Sequence, residues 1–205
     1  MRAIWTISAS VALALGANLP ALAIASYSGD LTGQPVFDTP NEGNPPTSTV
    51  GAAIFPYQSQ PFFVDITGSY DFLSTSTGYT TAPTPPPAPV WNNYTVLYQG
   101  SFNPSTPLAN AIIANDDLPS SGLSGFNGVP LTANAQYFFV TTVFNPDDGY
   151  GTFTNTIARS GGAPANISLG TVTAVPFEFS PTLGLLILSG AWGLNSWWRY
   201  RQVKN

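Results

Sequence analysis

Residues 137–144 have the sequence Tyr-Phe-Phe-Val-Thr-Thr-Val-Phe, and this stretch decides the fold class of the chain. Every residue in it is aromatic or β-branched, which is the composition favoured in β-strands. Apolar side chains occupy even positions, Phe138 and Val140, and odd positions, Phe139 and Val143. Successive side chains of a strand point to opposite faces of the sheet, so both faces need to be covered. The stretch therefore predicts a central strand that is packed on both sides.

Shorter runs of similar character lie on either side of this strand. They are separated by Gly, Pro, Asn and Asp, and no sustained helical period occurs between the two ends of the chain. The runs are Phe62–Thr67, Tyr70–Leu73, Tyr94–Tyr98, Phe153–Ile157 and Ile167–Val172. This pattern predicts an all-β domain, an antiparallel β-sandwich of jelly-roll-like type.

Two polar segments interrupt the strand pattern. Residues 38–49, DTPNEGNPPTST, are expected to form an exposed loop. Residues 74–89, STSTGYTTAPTPPPAP, are rich in Pro and Thr, which favours an extended polyproline conformation. We expect them to form a mobile insertion outside the sandwich.

The composition excludes several classes of function. The chain has 205 residues, with no Cys and no His. Disulfides, thiolate chemistry, His-dependent hydrolysis and zinc sites of the usual kind are therefore excluded. Ten acidic residues against five basic ones give a net charge of −5. Between the two ends the only basic residue is Arg159. An acidic domain lacks the basic patch that nucleic-acid binding needs, so no nucleic-acid partner is expected.

The N-terminus has the layout of a secretory signal peptide. Arg2 provides a short positive region, and an apolar run from Ile4 to Leu15 follows it. Small residues then form two A-x-A patterns, ending at Ala23 and at Ala25. Cleavage after either alanine fits, and we take Ala25 as the end of the signal peptide. Residues 1–25 are therefore predicted to be a signal helix, with the mature domain spanning residues 26–174.

The C-terminus has the layout of a membrane anchor. Residues 180–198 are mainly apolar, and a helix of this length reaches roughly 30 Å, about one hydrocarbon core. Trp197 and Trp198 suit the membrane interface, and a basic end follows them. The basic residues are Arg199, Arg201 and Lys204. After export, the positive-inside rule leaves this end in the cytoplasm. A buried or amphipathic helix is the alternative interpretation.

A short motif precedes the apolar stretch. It consists of Val175, Pro176, Phe177, Glu178, Phe179, Ser180 and Pro181. Motif, hydrophobic helix and basic end together resemble a C-terminal sorting signal of the PEP-CTERM type, in particular its cyanobacterial PFE variant. The common Val-Pro-Glu-Pro form is not matched. The resemblance covers residues 175–205 and implies recognition by an exosortase-like membrane protease, cleavage near the motif, and delivery to the cell surface or extracellular matrix.

A second resemblance covers roughly residues 60–158. The stretches Thr95–Tyr98, Asn115–Asp117 and Tyr137–Val140, together with Asp71-Phe72, are similar to the bacterial pre-peptidase C-terminal family of β-sandwiches. The family implies an accessory, non-catalytic module. The Pro-rich segment and the polar residues before Thr95 depart from its pattern.

Two acidic pairs are the candidate metal ligands. Asp116 and Asp117 follow one predicted strand, and Asp147 and Asp148 follow another. If the two loops share one end of the sandwich, their carboxylates could bind Ca²⁺, which prefers oxygen ligands. The alternative is turn chemistry, in which these side chains bond to backbone N–H groups. Paired acids also occur in glycosidases, but these pairs are expected in loops without a recognisable cleft. No other cofactor and no catalytic residue is expected.

Three hypotheses for function follow from these patterns. The leading one is an exported, surface-sorted, non-catalytic module of the cell envelope or extracellular matrix, held in the membrane by its C-terminal helix before processing. The second is a carbohydrate-binding or adhesive lectin-like domain, with polysaccharide as partner and with or without calcium. A hydrolase is the third. Five aromatic residues could stack on sugars if they were exposed, and packing in the core is the alternative. They are Trp91, Tyr94, Tyr98, Phe126 and Tyr150.

Overall fold

The computed structural model describes residues 24–82, 86 and 89–172. This part of the chain forms ten β-strands and two short 3₁₀ turns, at Pro146–Asp148 and Ser160–Gly162. The strands are β1 (Ile24–Asp30), β2 (Val36–Phe37), β3 (Phe55–Val64), β4 (Gly68–Thr81), β5 (Asn93–Gln99), β6 (Ala111–Asn115), β7 (Leu123–Leu131), β8 (Tyr137–Val143), β9 (Tyr150–Arg159) and β10 (Ile167–Leu169). All paired strands are antiparallel. The prediction of an all-β, sandwich-like fold is confirmed.

The strands form two sheets. One has four strands in the order β1-β9-β4-β7. The other has six, in the order β10-β3-β8-β5-β6, with β2 paired to β3 off this path. Each sheet contains neighbouring strands that are distant in sequence, since β1 pairs with β9 and β3 pairs with β8. The four-stranded sheet therefore needs the chain from β1 to β9, and the six-stranded sheet needs it through β10.

Strand β8 confirms the prediction made from residues 137–144. It lies in the middle of the six-stranded sheet, between β3 and β5. Tyr137 and Phe139 belong to one buried cluster, whereas Val140 and Val143 belong to a second one. Every residue of the strand except the partly exposed Phe138 is buried. The strand is thus covered on both faces, as its composition requires.

Two apolar clusters hold the domain together. The first contains residues of both sheets, including Phe62 and Phe139 of the six-stranded sheet and Phe72 and Ile157 of the four-stranded one. The Phe72 and Phe139 rings meet edge to face, with centroids 5.2 Å apart, so this cluster lies between the sheets. The second cluster includes the alternate side chains of β5, which are Tyr94, Val96 and Tyr98, together with Leu31, Phe37 and Phe55. The segment from β1 to β3 therefore covers the other face of the six-stranded sheet.

The prediction that residues 74–89 lie outside the sandwich is wrong for residues 74–81. These residues are the second half of β4, which pairs with β9 from Tyr70 opposite Arg159 to Thr81 opposite Tyr150. Ser74 and Ser76 are buried on the face that also contains Phe72. Because the inward side chains carry hydroxyl groups, the sequence lacks the apolar residues by which a strand is usually recognised. Ser and Thr nevertheless alternate between the two faces, as the residues of a strand do. Residues 83–85, 87 and 88 of the segment lie outside the described residues.

The predicted segments at both ends of the chain lie mainly outside the described residues. Residues 1–23 of the predicted signal helix 1–25 lie outside the described residues, as do the sorting motif, the apolar helix and the basic end, in residues 175–205. Within the described ranges, no helix is long and apolar enough to cross a membrane. Strand β1 begins at Ile24, so the boundary predicted after Ala25 falls inside a strand.

Candidate functional site

Both acidic loops lie at the same end of the six-stranded sheet. The first follows β6 and the second follows β8, and both of these strands run antiparallel to β5. Asn115 pairs with Thr95, and Val143 pairs with Asn93, so each loop leaves the sheet near the start of β5. The two loops therefore share one end of the sheet, which was the condition for a joint metal site. They lie on opposite sides of β5.

The second loop shows the turn chemistry expected as the alternative. Pro146–Asp148 form a 3₁₀ turn that Asn145 caps. The Asn145 side chain accepts a hydrogen bond from the Asp147 N–H at 3.1 Å and donates one to Asp148 Oδ2 at 3.0 Å. Asp147 and Asp148 are exposed to solvent. The polar groups of this loop therefore bond to one another.

The first loop is built differently, because a distant carboxylate joins it. The Asp116 N–H donates to Glu42 Oε1 at 2.8 Å, and Asn92 Nδ2 donates to Asp116 Oδ1 at 3.1 Å. Gly43, next to Glu42, forms an isolated β-bridge with Ala114 at the edge of β6. This bridge fixes the 38–49 segment beside the loop. Sequence reasoning missed Glu42, since it lies 74 residues before Asp116 and only the bridge brings the two together.

Three carboxyl groups at this rim repel one another. Burial, with the nearby carboxylates of Asp117 and Glu42, raises the pKa of Asp116 to about 7. The hydrogen bond from Asn92 acts in the opposite direction and does not offset these effects. Asp116 therefore titrates in the neutral range, where an ordinary aspartate is fully ionised.

The proposed four-carboxylate metal site is not assembled. In the described part of the chain, no group of three or more acidic side chains is placed to hold a metal ion. Asp116 and Asp117 belong to the rim with Glu42, whereas Asp147 and Asp148 are placed by the cap of their own turn. The physical reason is that each loop finds its hydrogen-bond partners locally or across the β6 edge. The two loops lie at the same end of the sheet, but their carboxylates do not form one group there.

The raised pKa of Asp116 predicts a pH-dependent stability. An acid whose pKa is higher in the folded state than in the unfolded state stabilises the fold when protonated. This contribution is complete below about pH 4 and is lost as the pH rises through about 7. Urea unfolding should therefore show Asp116→Asn gaining stability relative to the wild type between pH 4 and 8. When the same comparison is made in a Glu42→Gln background, the pH midpoint of the stability difference should be lower. A stability difference between Asp116→Asn and the wild type that does not vary with pH would contradict the assignment.

The aromatic residues considered for sugar stacking are mainly core residues. Trp91, Tyr94, Tyr98 and Phe126 are all buried. Tyr150 is partly exposed and packs against the second cluster. The packing interpretation is thus confirmed for the first four side chains.

The outer face of the four-stranded sheet is instead lined by hydroxyl groups. On β9, Thr152, Thr154 and Thr156 alternate with buried residues. Ser28 on β1 and Thr75 on β4 are the pairing partners of Thr154 on its two sides. The Ser28 and Thr154 hydroxyls are hydrogen-bonded at 3.0 Å. The Thr-x-Thr-x-Thr spacing of residues 152–156 is the sequence signal that could predict this row.

Three cavities border strand β7; β6 lines the first and third of them, and β4 and β9 line the second. Their volumes are about 460, 520 and 300 Å³, and Asn127 contributes to each of them. Glu42 lines the first and Asp71 the second, and the third has no acidic lining residue. None of these three cavities therefore has the two facing carboxylates that a glycosidase uses.

Comparison with known proteins gives no match, either to a protein-family model or to a curated protein. The resemblances to PEP-CTERM sorting signals and to pre-peptidase sandwich domains therefore stay predictions that depend on the quoted residues.

Proposed function

We propose that the chain is an exported, surface-sorted, non-catalytic β-sandwich module of the cell envelope or extracellular matrix. The signal peptide directs export, and residues 180–198 hold the precursor in the membrane as a helix. An exosortase-like protease then recognises the motif at residues 175–181 and releases or transfers the domain to the surface. The jelly-roll-like sandwich is the part that is delivered.

The extent of the sandwich is the observation that supports this proposal most strongly. Its first strand begins at Ile24 and its last ends at Leu169. Cleavage after Ala23 retains Ile24 and Ala25, which pair with Ala158 and Ile157, whereas cleavage after Ala25 removes both residues. We therefore prefer Ala23 as the cleavage point. The sorting motif begins at Val175, beyond β10, so removing both signals leaves every described strand intact.

Charges placed in the apolar stretch test the membrane step. The double variant Leu186→Asp, Leu188→Asp should lose membrane retention of the precursor. Each charge at a helix centre costs about 3 kcal/mol on insertion scales, so two are enough to prevent stable insertion. Membrane fractionation measures the effect, and Leu186→Ile with Leu188→Ile is the matched control. If the Asp variant stays in the membrane fraction, residues 180–198 are not a span.

The hydroxyl-lined outer face favours a second candidate function, binding of a neutral polysaccharide. The rim of the domain is acidic, whereas this row of Ser28, Thr154 and Thr75 is uncharged and can both donate and accept hydrogen bonds. A neutral polyhydroxylated chain suits such a surface better than an anionic one.

Removal of the hydroxyl groups tests this candidate. The variant Thr75→Val, Thr154→Val should weaken binding to a neutral glucan about tenfold, because each neutral hydrogen bond contributes about 0.5–1.5 kcal/mol. Affinity electrophoresis in a glucan gel measures the change, with Thr47→Val in the exposed loop as control. A wild-type protein whose migration is unaffected by glucan would remove this candidate.

A further inference from the structure

A row of polar side chains crosses the interior of the sandwich. In the four-stranded sheet, Ser74 pairs with Ser124 on one side and with Asn155 on the other. Asn155 in turn pairs with Tyr27 on β1. All four residues alternate with outward-facing ones, and Ser74, Ser124 and Asn155 have 0% of their surface exposed. A polar row therefore spans all four strands of this sheet.

The opposite sheet provides partners for part of this row. Thr95 and Thr141 pair with each other on β5 and β8. The Thr95 and Ser124 hydroxyls lie 2.7 Å apart, and Asn155 Nδ2 donates to Thr141 Oγ1 at 2.7 Å. Asn155 Nδ2 also donates to Tyr27 Oη at 2.8 Å. These bonds join the two sheets at one level of the interior.

Other buried polar atoms of the described interior, at this level and at the next one along the strands, have no hydrogen-bond partner. Among the described residues, no hydrogen bond reaches Ser74 Oγ, Ser76 Oγ, Asn155 Oδ1 or either polar atom of the Asn93 side chain. Ser74 and Asn93 are 0% exposed and Ser76 is 6% exposed. Buried polar groups are almost always hydrogen-bonded, because leaving them unpaired costs as much as a lost hydrogen bond. Five such atoms in one interior are therefore candidates for contact with a bound molecule.

The positions of these residues along their strands place them at two neighbouring levels of the interior. Asn93 is one inward position before Thr95 on β5, and Ser76 is one inward position after Ser74 on β4. In the other direction along the same strands, Leu97 and Phe72 pack in the same apolar cluster. Because Thr95 bonds to Ser124, the neighbour of Ser74, the next level contains Asn93 on one sheet and Ser76 on the other.

The chemistry of Asn93 selects the ligand. Its Oδ1 atom needs a donor and its Nδ2 atom needs an acceptor. A cation could satisfy the oxygen and not the N–H groups, and an anion could satisfy only the N–H groups. A water molecule both donates and accepts, and buried waters usually make about three hydrogen bonds to polar groups. We propose that Asn93, Ser74 and Ser76 bind ordered internal water that bridges the two sheets.

Magnetic relaxation dispersion of water nuclei tests this proposal, since it counts long-lived internal waters. The full chain should show such waters, and Asn93→Leu should lose at least one of them. Ser76→Ala is a smaller change that should also lower the count if Asn93→Leu fails to fold. Ser124→Ala is the matched control, because Ser124 has protein partners, and its count should stay as in the wild type.

Thermal melts of the same variants give an independent readout. Loss of bridging water should lower the melting temperature of Asn93→Leu. An unpaired Asn93 would instead be improved by an apolar side chain of similar shape, and the melting temperature would rise. An unchanged water count in Asn93→Leu and Ser76→Ala, or a raised melting temperature in Asn93→Leu, would overturn the proposal.

Discussion

Trp91→Ala is expected to lower the free energy of unfolding by about 3–5 kcal/mol. Trp91 is fully buried, and its ring meets Phe153 edge to face with centroids 6.5 Å apart. Its Nε1 donates to the Thr152 carbonyl oxygen at 3.0 Å, which ties the segment before β5 to β9 in the other sheet. Truncation removes both the packing and this bond. Since domains are stable by only about 5–15 kcal/mol, the loss is a large fraction of the total.

Urea unfolding followed by far-UV circular dichroism measures this effect. Trp91→Phe is the matched variant, because it retains much of the ring and loses the hydrogen bond. Its loss should be smaller, about 1–2 kcal/mol. Equal losses in the two variants would show that the hydrogen bond, rather than the packing, dominates. A loss below about 1 kcal/mol in Trp91→Ala would contradict the placement of Trp91 in the core.

Gly151→Ala is expected to cost about 3 kcal/mol or more, because the added methyl group has no space. A Cβ atom at Gly151 would collide with the Gly78 carbonyl oxygen and would lie 2.6 Å from the Thr80 nitrogen. Both obstacles are backbone atoms of β4, opposite Gly151 in the pairing. Overpacking usually costs about 1–3 kcal/mol, and a rigid backbone raises that cost.

Gly78→Ala is the control in the same pair of strands. A Cβ atom there would have the Thr152 hydroxyl oxygen as its nearest neighbour, at 3.5 Å, which is an ordinary contact. Its stability should stay within about 1 kcal/mol of the wild type. If Gly151→Ala unfolds at the same urea concentration as Gly78→Ala, the second half of β4 does not pair closely with β9.

The strands that could be predicted from the sequence were those made of aromatic and β-branched residues. Residues 137–144 needed cover on both faces, and β8 has it. The second half of β4 was missed because Ser74 and Ser76 face inward, where a sequence pattern expects apolar residues. Ser124 and Asn155, the pairing partners of Ser74, belong to the same polar row, and the members of this row are far apart in sequence.

In the acidic loops, too, contacts within a short segment could be predicted from the sequence, and contacts between distant segments could not. Asn145 and Asp147 lie two residues apart, so their turn could be predicted from local chemistry. Asp116 was predicted only as one of four candidate metal ligands, and its raised pKa was not predicted. That pKa depends on burial, on the neighbouring Asp117 and on Glu42, which lies beside an isolated bridge to β6. No local pattern contains that contact.

The central claim is that a complete sandwich is delivered after both terminal signals are removed. The intact mass and N-terminal sequence of the protein recovered from the surface of the cells that produce it test this claim most directly. We predict a species that begins at Ile24 and ends near the motif at residues 175–181, without the basic residues Arg199, Arg201 and Lys204. A surface species that begins at Met1, or one that still extends through Lys204, would contradict it.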